Sequence, residues 1–311
     1  MSEPVEVTMV DPPQTYFGVP RWEPEQSYDV VVVGVPSDSG GLGHRTPAAG
    51  PGFLRSISGL FPMRLDRQDR PAGWYDYNAG RCILEGVRIA DAGDFPWVRW
   101  AGPEQLLSLP AVYSTLRDST RLLLILSGDH SVAHALGSVL TEEEGLVWLD
   151  AHEDASGPIG THPNCANVVN FLERMERVGP ISQLGLRGLV PNGRRPEAPK
   201  RRLCRDVGQV LEHQRGAGRT KVAVSVDVDV LDPTIMPAVG SAMPGGWSYD
   251  QLLDVLASLR SGGLEIPILE IAEFAPDSDR DTTCALGLNN GILRALDICL
   301  RAPDPGAGRR P

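Results

Sequence analysis

An α/β fold, a three-layer αβα arrangement with a mainly parallel sheet of about eight strands, is what this sequence predicts, and three observations predict it. Apolar runs of about four to seven residues alternate with longer amphipathic stretches, the rhythm of strands and helices wound into a parallel sheet. Several runs are apolar at every position, as a strand covered on both faces is. Three of them end on Asp and His, and the carboxyl ends of the strands are where an open parallel sheet binds its ligands.

DVVVVGV (Asp29–Val35) is the first strand, and the amphipathic stretch Pro51–Ser58 a helix. RIADAG (Arg88–Gly93) is the next strand, followed by a helix over Pro103–Asp118. LLLIL and LVWLD are buried strands separated by a helix over Ser131–Leu140. Helices over Val168–Arg177 and Asp206–Arg215 flank QLGLR (Gln183–Arg187) and a short strand near Leu203. VAVSVDVDV and IPILEIAE complete the sheet, with helices over Ser248–Ser261 and Asp281–Leu300. GGLGHRTPAAGPG, DRQDRPAGWYDYNAGR and GSAMPGGW are rich in Gly, Pro and charge and read as loops. None is long or biased enough for an interdomain linker. Residues 1–311 therefore read as one domain, with an N-terminal extension at 1–27 and a disordered tail at 302–311.

Composition narrows the function. A formal net charge of −11 excludes nucleic acid and anionic membrane surfaces as partners, since both need a basic face, and suits a cationic small molecule. No apolar run is long enough to span a bilayer, and the first residues lack the order of a signal peptide, which places the chain in the cytoplasm. The cysteines at 82, 165, 204, 284 and 299 are odd in number and never spaced as CxxC. That excludes a disulfide framework and a thiolate zinc site.

The three charged strand ends are SGDH, DAHED and SVDVDVLDP. Side chains alternate along an extended segment, so if the strand geometry persists Asp150, His152 and Asp154 share one side, as do Asp227 and Asp229. With His130 they make a convergent ligand set. A strand-end Asp standing alone is usually a turn former or a helix cap, which fits Asp129 before Ser131 and Asp232 before Pro233. Three strand ends of the same kind do not fit that reading. Four carboxylates in one pocket would repel and raise one another's pKa unless cations lay between them. Aspartates can bridge two divalent cations. Oxygen ligands outnumbering imidazoles, with no thiolate, point to manganese rather than zinc, magnesium or calcium. Two such ions roughly 3.5–4 Å apart can activate a shared water at neutral pH, so hydrolysis is the implied reaction class.

In order and spacing, SGDHS, DAHED and SVDVDVLDP resemble the three signature motifs of the ureohydrolases, the family of arginases, agmatinases and related manganese amidinohydrolases. The resemblance runs from about Tyr28 to the last helix. It includes HRTPAAGPGFLR and the DAGD of Asp91–Asp94. It implies an arginase-like fold, a trimer or hexamer, and two Mn2+ per chain. His130, Asp150, Asp154 and Asp227 would surround one ion, and His152, Asp150, Asp227 and Asp229 the other, with Asp150 and Asp227 bridging. It further implies that Glu273 in ILEIAEFAP grips a guanidinium, a cation that stays charged and offers paired N–H donors to a carboxylate. Urea and an amine would be released.

The departures from the family pattern bear on mechanism and substrate. Ser127 replaces the first glycine of the usual GGDH. In SGPIGTHPNCANVVNFL, where the family carries a proton-shuttling His-Gly, VVNFL sets Cys165 and Ala166 at that position. A shifted loop gives the role to His162, an imidazole being a better proton carrier near neutral pH than a thiol. GLRGLVPNG presents Gly188 and Val190 where arginases place aspartates for the α-amino acid head, and Ser156 stands where asparagine is common. Free L-arginine is therefore not the expected substrate, and GLRG resembles the agmatinase branch. GSAMPGGW, however, has Met243 where that branch carries an acidic residue, which turns the expectation from agmatine to an acyl guanidine such as guanidinobutyrate or a guanidino secondary metabolite. Ser156, Asn164 and Ser241 lie on the loops that would meet the substrate, and Arg194 and Arg195 in NGRRP could face a distal carboxylate. Two other readings stay open: a formimino-group hydrolase on the same fold, and a homologue kept for binding with its chemistry weakened.

Overall fold

The computed structural model describes residues 7–40, 47–98, 103–156, 162–189 and 198–301. Strand β1 (Tyr28–Val35) leads to helix α1 (Gly50–Ser58), the hairpin strands β2 (Trp74–Asp76) and β3 (Arg81–Ile83), and β4 (Ile89–Asp94). Next come α2 (Leu109–Asp118), β5 (Thr120–Ser127), β6 (Glu144–Leu149), α3 (Val168–Arg174), β7 (Ile181–Leu184) and β8 (Arg201–Leu203). The chain closes with α4 (Val207–Gly216), β9 (Lys221–Asp227), α5 (Tyr249–Ser261), β10 (Glu265–Ala272) and α6 (Thr283–Leu300).

All strands but β2 and β3 form one parallel sheet in the order β4-β1-β5-β10-β9-β6-β7-β8. Strands β5 and β6 are consecutive in sequence but are separated by β10 and β9, which enter later. The four strands whose ends carry the Asp, His and Glu residues are therefore side by side at the centre, as a ligand site in such a sheet requires.

The all-apolar runs are explained by two cores, one on each face. Val30 and Val32 point into a layer with Leu54, Leu256, Leu288 and Ile292, while Val31, Val33 and Val35 point into one with Tyr113, Leu116, Leu136 and Val169. Residues near the N-terminus seal the β4 edge of the sheet. Val10 bridges Asp94, Arg21 bridges Asp91, and Tyr16, Phe17 and Val19 are buried between them. Arg55 of α1 is buried against both oxygens of Asp91, at 2.8 and 3.0 Å, and also bonds Asp94, so HRTPAAGPGFLR and DAGD meet as a structural ion cluster.

The structure departs from the sequence expectations in several places: the helix expected over Pro103–Asp118, for one, opens as a 3-10 helix over Pro103–Ser108 and is α-helical only from Leu109. The loop assigned to DRQDRPAGWYDYNAGR holds the β2–β3 hairpin, whose three-residue strands are too short to show alternation and whose turn is built on Asp76 accepting from Asn78 and Ala79. The helix expected at Ser131–Leu140 is a 3-10 helix over His130–Ser138, since apolar spacing over so short a stretch does not separate the two pitches. Strand β7 stops at Leu184 because Gly185, at φ +106, lies so close to Asp150 that a Cβ would sit 2.8 Å from its carbonyl oxygen. Strand β9 ends at Asp227, and residues 228–230 form a 3-10 turn. Among the described residues no helix is long and apolar enough to cross a membrane.

Candidate metal centre

Turn geometry, not strand alternation, gathers the ligand candidates. Strand β6 ends at Leu149, and Asp150 accepts from the His152 N–H at 2.6 Å, folding the chain back on itself. Asp154 then adopts φ 48, a left-handed conformation uncommon outside glycine. At the end of β9 the Asp227 carboxylate caps the Asp229 N–H at 2.8 Å and turns Asp229 inward.

The result is two groups that share one residue. His130, Asp150 and Asp227 offer ligand atoms within 4.8 Å of one another, and so do Asp150, His152 and Asp229. His130 Nδ1 lies 3.3 Å from Asp150 Oδ2, 3.2 Å from Asp154 Oδ2 and 3.5 Å from Asp227 Oδ2. His152 Nδ1 lies 2.8 Å from Asp229 Oδ2 and 3.6 Å from Asp150 Oδ1. Asp150 thus presents one oxygen to each group, the geometry of a bridging carboxylate. Asp129 and Asp232 stand outside: Asp129 accepts from Ser131 and Gly40, and Asp232 from Thr234, Gly245 and Gly246.

The electrostatics are those of carboxylates crowded together away from water. Burial and the charge of neighbouring aspartates push Asp154 and Asp227 well above the usual carboxylate range. Burial opposes protonation of His130, yet the carboxylates of Asp150, Asp154 and Asp227 drive its pKa well up. The carboxylates of Asp150 and Asp229 raise His152 to about 11. His130 Nδ1 and Asp154 Oδ2 are buried with no hydrogen-bond partner among the described residues. Buried donor atoms left unpaired and carboxylates forced to hold protons fit a site made for divalent cations.

Glu273 follows β10 at φ 67 and accepts from the His130 N–H at 2.8 Å. Burial, with Asp129 beside it, pushes its pKa up to about 7 against that hydrogen bond. A Cβ built on Gly240 would lie 3.9 Å from Glu273 Oε2, which puts the loop carrying Ser241 next to Glu273; Ser241 itself is exposed.

The other sequence candidates lie on the 152–168 stretch. Ser156 N–H donates to the Ala166 carbonyl at 2.8 Å, Val169 N–H donates to the Asp154 carbonyl at 3.0 Å, and Cys165 N–H donates to the Gly40 carbonyl at 3.1 Å. Asn164 Oδ1 accepts from Ala166 N–H at 3.0 Å. The Cys165 backbone is thus tied to the segment that follows β1, while His162 Nε2 lies 3.5 Å from Glu104 Oε1. Arg187 is consumed internally, donating to the Met243, Asp229 and Val230 carbonyls. Gly188 has φ +84, which strains any side chain there, and a Cβ would meet the flexible end of Met243 at 2.9 Å, so Met243 would have to shift. Val190, Arg194 and Arg195 fall outside the described residues.

Sequence reading missed the supports. Trp148 stacks on His130, with centroids 3.9 Å apart, and donates to Asp150 Oδ2 at 2.9 Å. Its position two residues before Asp150, at the end of β6, was the available signal. Glu153, inside DAHED, turns away from the ligands to Arg201 of β8 at 2.9 Å, and Arg201 also reaches Glu173 of α3 at 3.0 Å.

A double cluster of carboxylates and imidazoles on the carboxyl edge of a parallel sheet is an arrangement in which divalent cations can support hydrolysis. Residues 28–292 match the arginase family. The chain belongs to that family, the ureohydrolases, which act on the C–N bonds of linear amidines. It is similar to a proclavaminate amidinohydrolase of Streptomyces clavuligerus, 29% identical over 284 residues that cover 84% of this chain and 85% of the relative. A guanidinopropionase of Pseudomonas aeruginosa is 26% identical over 295 residues, covering 88% and 87%. The solved structure of the S. clavuligerus amidinohydrolase shares the fold, with a TM-score of 0.75 at 23% identity over 93% of this chain and 97% of that one.

Proposed function

We propose that this chain, as a single ureohydrolase domain, hydrolyses the guanidino group of a small molecule with a neutral or acidic tail to urea and an amine, using two manganese ions. The observation that carries the reading is Asp150, which offers one oxygen to the His130 group and the other to the His152 group. His130, Asp150, Asp154 and Asp227 would hold one ion and His152, Asp150, Asp227 and Asp229 the other, a set in which oxygen donors outnumber imidazoles, as manganese favours. When bound, the ions would supply an activated water at neutral pH.

The chain's own groups do the rest. Glu273, once ionised, would grip the guanidinium through paired N–H donors and orient its carbon over the ligand cluster. Asp154, the cage ligand with an unpaired oxygen, would be the base nearest the nucleophile, and His162 or Cys165 would hold the proton that the leaving amine needs. Ser156, Asn164 and Ser241 would meet the substrate's tail. Gly188, where φ +84 strains any side chain, supports a substrate without an α-amino acid head. Two relatives along most of the chain carry the names of carboxylic acids, proclavaminate and guanidinopropionate, which supports the acidic tail. The same resemblance supports a trimer or hexamer.

A urea-release panel of the manganese-loaded protein tests this, run over guanidino acids, agmatine, L-arginine and formimino compounds beside elemental analysis. Urea from a guanidino acid with close to two ions per chain is the expected result. The highest kcat/KM on L-arginine would overturn the substrate reading, at most one ion in an active sample the double site, and formamide without urea the reaction itself.

A further inference from the structure

Beneath His130 lies a row of polar side chains that the catalytic reading does not use. Trp148 of β6, Ser225 of β9 and Glu270 of β10 are register partners across adjacent strands, and Ser127 stands on β5 two residues past Ile125, the β5 partner of Glu270. All four are buried. Glu270 is fully buried in the middle of the sheet, and among the described residues neither Arg nor Lys forms an ion pair with it. Its Oε1 accepts from Ser127 Oγ at 2.7 Å and its Oε2 from Ser225 Oγ at 2.7 Å. Ser225 Oγ in turn lies 2.8 Å from His130 Nε2.

Proton counting assigns the direction. Burial pushes the Glu270 carboxyl up, but each of its oxygens accepts from a serine hydroxyl, and a serine hydroxyl has one hydrogen to give. Ser225 therefore gives its hydrogen to Glu270, and its oxygen accepts from His130 Nε2–H. In the neutral ring that a cation would require, the imidazole lone pair is then on Nδ1, the atom that faces Asp150, Asp154 and Asp227. Trp148, stacked at an interplanar angle of 17°, fixes the ring plane.

We propose that Glu270 and Ser225 are positioning residues of the His130 half-site, a buried carboxylate–hydroxyl relay that holds His130 as the tautomer able to ligate a cation through Nδ1, with Ser127 as the second anchor of the carboxylate. The proposal rests on reading this site as a metal centre. An isolated carboxylate at the middle of a sheet is unfavourable for the fold by itself, and replacing buried polar groups by apolar ones of similar shape is often neutral or stabilising. Outer-shell partners of a ligating histidine, by contrast, are worth about 10–100-fold in metal affinity. The two roles therefore move opposite observables.

The test is Mn2+ titration of the metal-free full chain, with free ion read by electron paramagnetic resonance, for the wild type, Ser225→Ala, Glu270→Leu, the double variant and Ser127→Gly. Thermal melts of the metal-free proteins run alongside. The wild type should bind two ions. Ser225→Ala and Glu270→Leu should each weaken one of the two by about 10–100-fold and leave the other within a few-fold. The double variant should lose no more than the worse single one, because both remove the same relay. Ser127→Gly, which leaves the Ser225 link intact, should lose less than Ser225→Ala. Melting of the metal-free double variant, in which hydroxyl and carboxylate are replaced together, should stay closer to wild type than that of either single variant, which leaves a buried partner unpaired.

Wild-type protein that binds no Mn2+ removes the metal reading on which this rests. Two ions bound with wild-type affinity in both single variants overturns the relay while leaving that reading in place. Additive losses, or equal weakening of both ions together with lower melting, assigns the row to the fold alone and also overturns it. Each single variant reads the relay independently, and Ser127→Gly reads it with the least disturbance of packing, so a variant that does not fold leaves the others to decide.

Discussion

Replacing Arg201 by leucine should cost the metal-free protein about 3–5 kcal/mol, the loss that follows when one member of a buried ion pair is removed. The Arg201 side chain is 6% exposed and is shared between Glu153, also 6% exposed, and Glu173 at 15%. Without the guanidinium, two largely desolvated carboxylates would remain together. For a chain of 311 residues with an unfolding entropy of about 2.1 cal/mol/K per residue, the loss corresponds to a melting shift of about 5–8 °C. Arg201→Lys should fall between, since an ammonium cannot span both carboxylates as a planar fork does. Adding Glu153→Gln to Arg201→Leu should recover part of the loss by removing one stranded charge. The effect should reach the metals as well. Glu153 lies between His152 and Asp154, and its carbonyl accepts from Gln183 Nε2 at 2.7 Å, so loosening its side chain loosens the turn that carries two ligands. Chemical denaturation of chelator-treated protein, followed by circular dichroism, measures the first effect, and Mn2+ titration the second. A loss under about 1 kcal/mol, the level of a solvated surface pair, would refute the reasoning.

Three further outcomes are expected. If His162 carries the leaving-group proton, His162→Asn should lower kcat by about 10²–10⁴-fold with metal binding intact and Cys165→Ser should be nearly silent; the reverse pattern assigns Cys165, and two silent variants leave the proton to water. In the metal-free protein His130, Asp154, Asp227 and His152 all have pKa values above their ordinary ones, so each stabilises the fold at low pH and loses that contribution as pH rises through the raised value, the last of these at about 11 for His152. Metal-free melting should therefore fall from about pH 6 to pH 8 while the gain from Mn2+ grows, and a gain that shrinks over that range contradicts the cage. Gly188→Asp should destabilise the protein by about 1–3 kcal/mol and confer no activity on L-arginine, because φ +84 strains any side chain there and Met243 would have to shift; a stable variant that turns over arginine refutes this.

Much of the architecture could be read in the sequence because each strand announces itself twice, by an apolar run and by what ends it. DVVVVGV divides into Val30 and Val32 for one core and Val31, Val33 and Val35 for the other, which a purely local reading cannot resolve but which demands helices on both faces. The ligand candidates were legible by type and order. The reason given for their convergence was not correct: β6 and β9 stop before or at the first aspartate of each motif, and Asx-type turns at Asp150 and Asp227 bring the later residues round. Hydrogen bonds from an aspartate to the N–H two residues on leave the same spacing in sequence as alternation does. Spacing alone therefore cannot separate the two.

What the sequence hides is whatever depends on strand order. Trp148, Ser225 and Glu270 lie far apart along the chain, and only the arrangement β5-β10-β9-β6 sets them in a row under His130. Glu153 reads as one more carboxylate of DAHED until β8, at the far edge, delivers Arg201 to it. Backbone strain is hidden too. Asp154 and Glu273 take positive φ, an uncommon conformation for residues with side chains, and both are assigned chemistry here. A carboxylate held in that conformation by its neighbours, with Asp154 tied to Val169 and Glu273 to Gly128 through their main chains, cannot relax away from the cluster when the repulsion among the aspartates would favour it. The constraint at Asp154 and Glu273 thus works in the same direction as Trp148, Arg201 and the Ser225–Glu270 pair: each keeps anionic or unpaired groups close together in a metal-free fold that would otherwise drive them apart.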